Sequence, residues 1–374
     1  MSAPTRRENL LRVFSQQPVE CIPVAPFIHV NYVKEFFGTH EVDWVVKTPE
    51  VYRHFGFDVI HRNCTPIYDA YGPAGSDWQV QVAQQKEGRD ETNTTIARTP
   101  KGDLRAVQAR RWICEYDAET SNTEYWIKSE ADLDLLIRYQ PPPGVLDTSD
   151  LRSAKAAVGD DGIIAPWIQG AFNLLAVYYR KIDELLVDAL VNPNLYHRLM
   201  THCLERYKVH VQQIIDARPD ALSYAGNVAS GKMVGPDFYR RFVMPYEKEF
   251  IEWIQGQGVA VLYHNCGYAR KLLPLYPGLG MGAYESLTPP PHGDTILSEA
   301  VAVFGKRVTL LGNIDQIDLL RTGSPAEIDA QVKQTLDTAR GRCHFVLATT
   351  DYFNDNTPHE NIHALADAAR RYCC

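Results

Sequence analysis

The sequence predicts a (β/α)8 fold, the TIM barrel, carrying a β-rich insertion between its second and third strands. Three observations lead there. From Gly162 onward, short apolar runs alternate with stretches of helical periodicity, the rhythm of a parallel sheet with crossover helices. Two further runs nearer the N-terminus bring the strand count to eight, the number that closes such a barrel. Polar residues interrupt these runs almost only at their C-terminal ends, where a barrel gathers its functional loops. A doubly wound sheet is the alternative that the same alternation admits.

Taken in order, residues 5–16 form the first helix, with Thr5 as N-cap, Glu8 completing a capping box and Pro18 as the stop. Residues 22–28 form a strand that exits at His29 and Asn31, and a helix begins at Tyr32. The second strand, 57–60, leaves His61, Arg62 and Asn63 at its exit. Between about 66 and 143 the texture changes. Alternating polar and β-forming pieces at 92–98, 102–107 and 125–128 predict antiparallel hairpins. Residues 129–133 open a short helix, and Pro141, Pro142 and Pro143 make a stiff linker. The block reads as an insertion in a single barrel domain spanning 1–374. The remaining strands are expected at 163–169, 221–227, 259–266, 282–285, 308–313 and 345–351. Helices follow at 184–190, 192–217, 238–256, 296–304, 326–339 and 358–372. Pro236 and Pro325 sit in first turns, where the missing N–H costs little.

A chain of 374 residues with a net charge of -8 is acidic, which argues against a nucleic-acid partner, since phosphate binding wants a basic face. No run of about 18 apolar residues is present, and residues 1–12 lack an apolar signal region, so the expected setting is the cytoplasm, away from membrane. The eight cysteines are scattered, and most are expected to be free and buried. The terminal Cys373-Cys374 pair reads as a frayed tail without a role.

The chemistry centres on Val259-Ala260-Val261-Leu262-Tyr263-His264-Asn265-Cys266-Gly267. Alternation along a strand puts His264 and Cys266 on one side, and an imidazole beside a thiolate is a half-site for zinc. The competing reading is a hydrogen-bonded core histidine beside a small buried hydrophobe. Glu285 and Asp351, from strands on the same side of the barrel mouth, supply oxygen ligands, so the expected metal set is His264, Cys266, Glu285 and Asp351. Glu285 could instead pair with Arg62 or Lys306, and Asp351 could cap a loop, although Thr357 is the better cap for the last helix. His29, Asn31, Arg62, Trp167, Gln169 and Asn313 are the expected substrate-binding residues. Asp351, Glu285 and Asn227 are the expected catalytic ones. The stretch 226–231 lacks phosphate-loop spacing.

Several motifs in order resemble the uroporphyrinogen decarboxylase superfamily, and most of all its corrinoid-linked methyltransferase branch. They are Arg6-Arg7-Glu8-Asn9-Leu10-Leu11-Arg12-Val13-Phe14 with Pro18 and Ile22-Pro23-Val24, then Thr99-Pro100-Lys101-Gly102, and Gly235-Pro236-Asp237-Phe238 through Pro245-Tyr246. His264-Asn265-Cys266-Gly267, Gly312-Asn313-Ile314-Asp315 and Asn356-Thr357-Pro358-His359-Glu360-Asn361 complete the series. The resemblance covers nearly the whole chain and implies the same barrel. The decarboxylases carry an Arg-Gln-Ala-Gly-Arg run after the first strand to hold substrate carboxylates. Here that place reads Phe27-Ile28-His29-Val30-Asn31-Tyr32, without arginine, which speaks against a polyanionic porphyrinogen. The zinc methyltransferases of the superfamily use a His-x-Cys pair, in some a Glu, and a Cys ending the last strand. His264, Cys266 and Glu285 match; Asp351 stands where that last Cys belongs.

A site with fewer thiolates is a harder Lewis acid, suited to a methyl on oxygen or nitrogen. The expectation is therefore a zinc-assisted methyltransferase of O-demethylase type. It moves a methyl group between a small methylated substrate, such as a methoxylated aromatic or an amine, and the cobalamin of a separate corrinoid protein. Delivery of methyl to a thiol or to tetrahydrofolate is possible with the same residues. A decarboxylase of a small carboxylate held by Arg62, and a binding protein without chemistry, are the other readings. The oligomeric state is not fixed by the sequence, a homodimer being one candidate.

Overall fold

A computed structural model describes residues 4–374, which divide into two compact units, one made of residues up to 65, 148–168 and 217–374, the other of 66–147 and 169–216. The strands in chain order are β1 (Val59–His61), β2 (Gln79–Glu87), β3 (Asp90–Thr99), β4 (Gly102–Trp112) and β5 (Ala118–Glu124). They continue as β6 (Gly162–Ile164), β7 (Trp167–Gln169), β8 (Ala221–Ala225), β9 (Ala260–His264), β10 (Ala283–Ser286), β11 (Thr309–Ile314) and β12 (His344–Thr349).

In the first unit β7 through β12 form a six-stranded sheet in sequence order, and β1 pairs with β6, all parallel where registered. Backbone hydrogen bonds join these pieces into a ring. β6 and β7 are the two halves of one strand broken at Ala165-Pro166, and the Ser223 N–H donates to Pro166 O at 3.0 Å. On the other side Asp58 N–H donates to Val24 O (2.8 Å) and Ala25 N–H to Leu347 O (2.9 Å), so residues 23–25 act as the first stave between β1 and β12. Gly162 makes the β1–β6 contact possible, because a Cβ there would lie 1.9 Å from Val59 O.

Inward side chains fill the ring by strand alternation. Ala25, Ile60, Ile163, Ala165, Ala221, Leu262, Ala283, Leu311 and Val346 form one apolar cluster, closed off by Leu10, Val13 and Phe14 of the helix Arg6–Phe14. That helix begins with the expected Thr5–Glu8 capping box.

Several expected boundaries are corrected. Residues 22–28 give only an isolated bridge at Val24, because the extended chain is paired with its neighbouring strands only over residues 23–25. Asn31 lies inside the helix Val30–Phe37 rather than at a strand exit. The strand at 163–169 is interrupted where Pro166 has no N–H to give. β9 stops at His264 and β12 at Thr349, so Cys266 and Asp351 stand on the loops that follow. Pro358, not Thr357, occupies the cap of the helix His359–Tyr372, and the Thr357 hydroxyl donates to Asn354 O. The C-terminus is also not a frayed tail: Cys374 forms a disulfide with Cys21, and Ile22 N–H donates to Cys373 O at 2.9 Å. The last helix returns the tail to the start of the first stave, which brings the two sulfurs together.

In the second unit β2, β3, β4 and β5 form an antiparallel sheet, the β-rich insertion of the barrel fold. The helices Glu130–Tyr139, Ile182–Val191 and Pro193–Asp216 belong to the same unit. Arg180 is buried there and paired with Asp188 at 2.8 Å. No helix among the described residues is long and apolar enough to cross a membrane.

Candidate metal centre at the barrel mouth

Two residues beyond the apolar layer the inward positions turn polar: Ile60 is followed by Arg62, Ala221 by Ser223, Leu262 by His264 and Ala283 by Glu285. Arg62 is only 2% exposed. Its Nη2 donates to Glu285 Oε2 at 2.5 Å and its Nε to Ser223 Oγ at 3.1 Å. The guanidinium lies 4.4 Å from the centre of the Phe27 ring and 5.6 Å from that of Trp167. A cation this deep needs a fixed counter-charge, and Glu285 provides it. Burial alone would raise the Glu285 carboxyl, but Arg62 and His264 together hold it below its ordinary value.

The other oxygen of that carboxylate, Oε1, lies 2.9 Å from His264 Nδ1. A carboxylate only accepts, so Nδ1 carries the proton and Nε2 is turned outward. Nε2 stands 3.9 Å from Asp351 Oδ2. Ligand atoms of His264, Cys266 and Asp351 all lie within 4.8 Å of one another. Burial opposes a charged His264, yet Cys266 and Glu285 outweigh it and hold the imidazole pKa well above the ordinary histidine value. The pocket around this ring therefore attracts positive charge.

Zinc fits these residues. One nitrogen, one sulfur and one oxygen suit a borderline ion, and three protein ligands leave a fourth position for a reacting group. Glu285 stands behind His264 instead of beside it, in the carboxylate–histidine arrangement that fixes a metal-binding imidazole. A second group, His292, Asp315 and Asp318, has metal-compatible spacing, but Asp318 is exposed and already bonded to His292 Nε2 at 2.8 Å.

The other expected residues are placed as follows. Trp167 meets the His264 ring edge-on at 5.2 Å. His29 lies 5.0 Å from the Tyr352 ring and its Nδ1 donates to Asn31 Oδ1 at 3.1 Å. Asn31 is buried and uses its amide on Asp355 and Phe353, so it supports a loop. Asn227 opens a short turn after β8 and is half-buried. Gln169, the last residue of β7, falls past the division at Ile168 and so in the second unit, where its N–H donates to the Tyr207 hydroxyl. Asn313 accepts from the Thr335 hydroxyl at 3.1 Å and lines a cavity of about 400 Å³ shared with Leu297, Gln331 and Thr335. Sequence reasoning missed Phe27, Ser223 and Tyr352. Inward alternation from Ala25 and Ala221 carries the signal for the first two; nothing local marks Tyr352.

The profile of the uroporphyrinogen decarboxylase (URO-D) family matches residues 118–372. The chain is 21% identical, over 382 aligned positions, to the methylcobamide:CoM methyltransferase MtbA of Methanosarcina mazei, covering 100% of this chain and 99% of that one. To the methylcobamide:CoM methyltransferase MtaA of Methanosarcina barkeri it is 27% identical over 231 positions, 62% of this chain and 64% of the relative. A solved methyltransferase from Methanosarcina mazei superposes with a TM-score of 0.73 over 100% of both chains at 17% identity, a likeness of fold.

Proposed function

The chain belongs to the uroporphyrinogen decarboxylase family, and from that premise we propose that it is a corrinoid-dependent methyltransferase assisted by zinc on His264, Cys266 and Asp351. The observation that carries the reading is the convergence of these three ligand atoms in front of a histidine locked from behind by Glu285. Relatives whose names state methylcobamide-dependent methyl transfer, one aligned over the full chain, point the same way.

On the substrate side we favour a methyl ether or amine, above all a methoxylated aromatic. Phe27, Trp167, His29 and Tyr352 form a cluster of mutually tilted rings with centroid spacings of 5.0 to 6.0 Å, a patch suited to an aromatic substrate. Zinc bound at the cluster supplies Lewis-acid polarisation to the heteroatom that carries the methyl group. The chain's own residues supply the rest. Glu285 Oε1 holds the Nδ1 proton of His264, so Nε2 is the nitrogen turned to the cluster, and it would give up its own proton on binding the metal. Arg62 keeps Glu285 ionised, and Asn227, on the turn after β8, is the proposed polar contact to a neutral substrate group. With cobalamin arriving on a separate corrinoid protein, the contribution here is positioning and charge. Arg62 is poorly placed to clamp a substrate carboxylate, since a bidentate grip through Nη2 would displace Glu285.

Purified protein is mixed with cob(I)alamin and a panel of methoxylated aromatics and methylamines, and methylcobalamin is followed by its visible spectrum. The expected result is methyl transfer from at least one donor, one zinc per chain at the cluster, and loss of both in Cys266→Ala. The relatives' names favour a second reading in which methyl passes to a thiol. Methylcobalamin with coenzyme M in the same cuvette decides between the two. No transfer in either direction, by protein that also takes up no zinc when offered it, overturns both.

A further inference from the structure

Asp351 differs from His264 in how it is held. His264 ends a strand with neighbours on both sides, whereas Asp351 follows the end of β12 on a loop, where the sheet no longer fixes it. A ligand on a loop needs another support if it is to meet a metal in one geometry. The structure places one side chain to give it. Gln316, 3% exposed, sends Oε1 to the Thr350 hydroxyl at 2.5 Å and to the Asp351 N–H at 3.2 Å.

Gln316 is itself well anchored. Asp315 Oδ1 accepts from the N–H groups of Ile317 and Asp318 at 2.8 and 3.2 Å, which shapes the turn around it. Thr350 N–H donates to Ile314 O at 2.9 Å, so the start of the loop after β12 is tied by backbone to the end of β11 as well. Asp351 Oδ1 then accepts from Tyr352 N–H at 2.8 Å, which leaves Oδ2 as the oxygen turned to His264 Nε2. Remove the Gln316 acceptor, and both the Thr350 hydroxyl and the Asp351 N–H lose their partner at a nearly dry position.

Resting on the zinc reading above, we infer that Gln316 is the positioning residue for Asp351, its single carbonyl oxygen setting where the third ligand stands. Length matters here. A shorter amide would not span the two loops, and a side chain without an acceptor would fill the space but leave both donors unanswered.

Three variants test this: Gln316→Met, close in shape without the carbonyl; Gln316→Glu, which restores an acceptor; and Asp351→Ala as the reference for a lost ligand. Each is titrated with zinc, and its cobalt(II)-substituted form is read by visible absorption. Gln316→Met is expected to lower zinc affinity by about ten- to a hundredfold and to shift the cobalt spectrum toward that of Asp351→Ala. Gln316→Glu is expected to return both toward wild type. In metal-free protein, hydrogen exchange at the Asp351 amide is expected to quicken at least about tenfold in Gln316→Met, as for a donor whose bond has been removed. Wild-type affinity, spectrum and exchange in Gln316→Met overturn the inference. If wild type and Cys266→Ala take up no metal alike, the zinc reading falls instead, and the exchange rate alone then decides whether Gln316 holds Asp351.

Discussion

Arg62, Glu285 and His264 each hold the next, and the order of that chain explains why the middle member is the most sensitive. Glu285 answers a buried guanidinium with one oxygen and an imidazole N–H with the other, so without it Arg62 loses its counter-charge and His264 Nδ1 its nearest acceptor. In Glu285→Gln the shape survives while the charge goes. Breaking a buried pair by removing one charge costs about 3–5 kcal/mol, because the remaining charge is uncompensated. The same change is expected to weaken zinc binding about ten- to a hundredfold, since the imidazole loses the partner that orients it. Denaturant unfolding and zinc titration of the one variant read both quantities. Lost stability with unchanged zinc affinity would make Glu285 a partner of Arg62 alone. The types and spacing of His264 and Cys266 were readable in the sequence, as was the choice of Arg62 or Lys306 for Glu285. Which histidine nitrogen faces the mouth was not, because it depends on a carboxylate from the adjacent strand.

His61 shows what an outward position on a strand does. It lies on β1, fully buried, and its Nε2 lies 2.8 Å from Val45 O at the start of the helix Trp44–Phe55. Burial pushes its pKa down to about 4, only partly opposed by that bond. The unfolded chain binds a proton near the ordinary value of about 6.5, so unfolding takes up protons between these limits. Stability is therefore full above about 6.5 and falls as pH drops toward 4, by up to about 3 kcal/mol for this group. In His61→Gln, whose amide keeps a donor for Val45 O, the midpoint of urea unfolding should vary less between pH 7 and 4 than in wild type. Equal slopes would place the acid sensitivity elsewhere. This helix was not predicted, and the reason is local. Val45, Val46, Thr48, Pro49 and Val51 are poor helix formers, and Pro49 sits inside the run. Tertiary burial of Val51, Tyr52 and Phe55 decides it instead, helped by Asp43 as N-cap. Where end signals are written in the sequence, as in the Thr5–Glu8 capping box or Pro325 at a first turn, helix starts were legible.

The ring has two ends with different duties, and the apolar cluster between them is what separates the duties. At one end Leu10, Val13 and Phe14 close the barrel, while Gln16 Nε2 donates to Gly282 O at 3.0 Å and Arg7 pairs with Asp220 at 2.9 Å. At the other end stand His264, Cys266 and Asp351. The strand count foretold this arrangement because every stave carries its own apolar run. The first stave was overdrawn for the converse reason, since an apolar run does not report how many of its residues find a partner. Leu10 is fully buried in the plug and touches no polar group of the mouth, so it separates stability from chemistry. Leu10→Ala should cost about 2–5 kcal/mol, the transfer of the side chain plus the cavity it leaves. Because the layer of Leu262, Ala283 and Leu311 stands between, zinc affinity of the folded variant should stay within about twofold of wild type, as distant sites without shared partners add independently. Urea midpoints measured on metal-free protein, beside zinc titrations well below the transition, test the two halves of that statement. Should affinity fall in step with stability, the plug and the mouth would be one cooperative structure, and the polar layer would depend on the packing beneath it for its geometry.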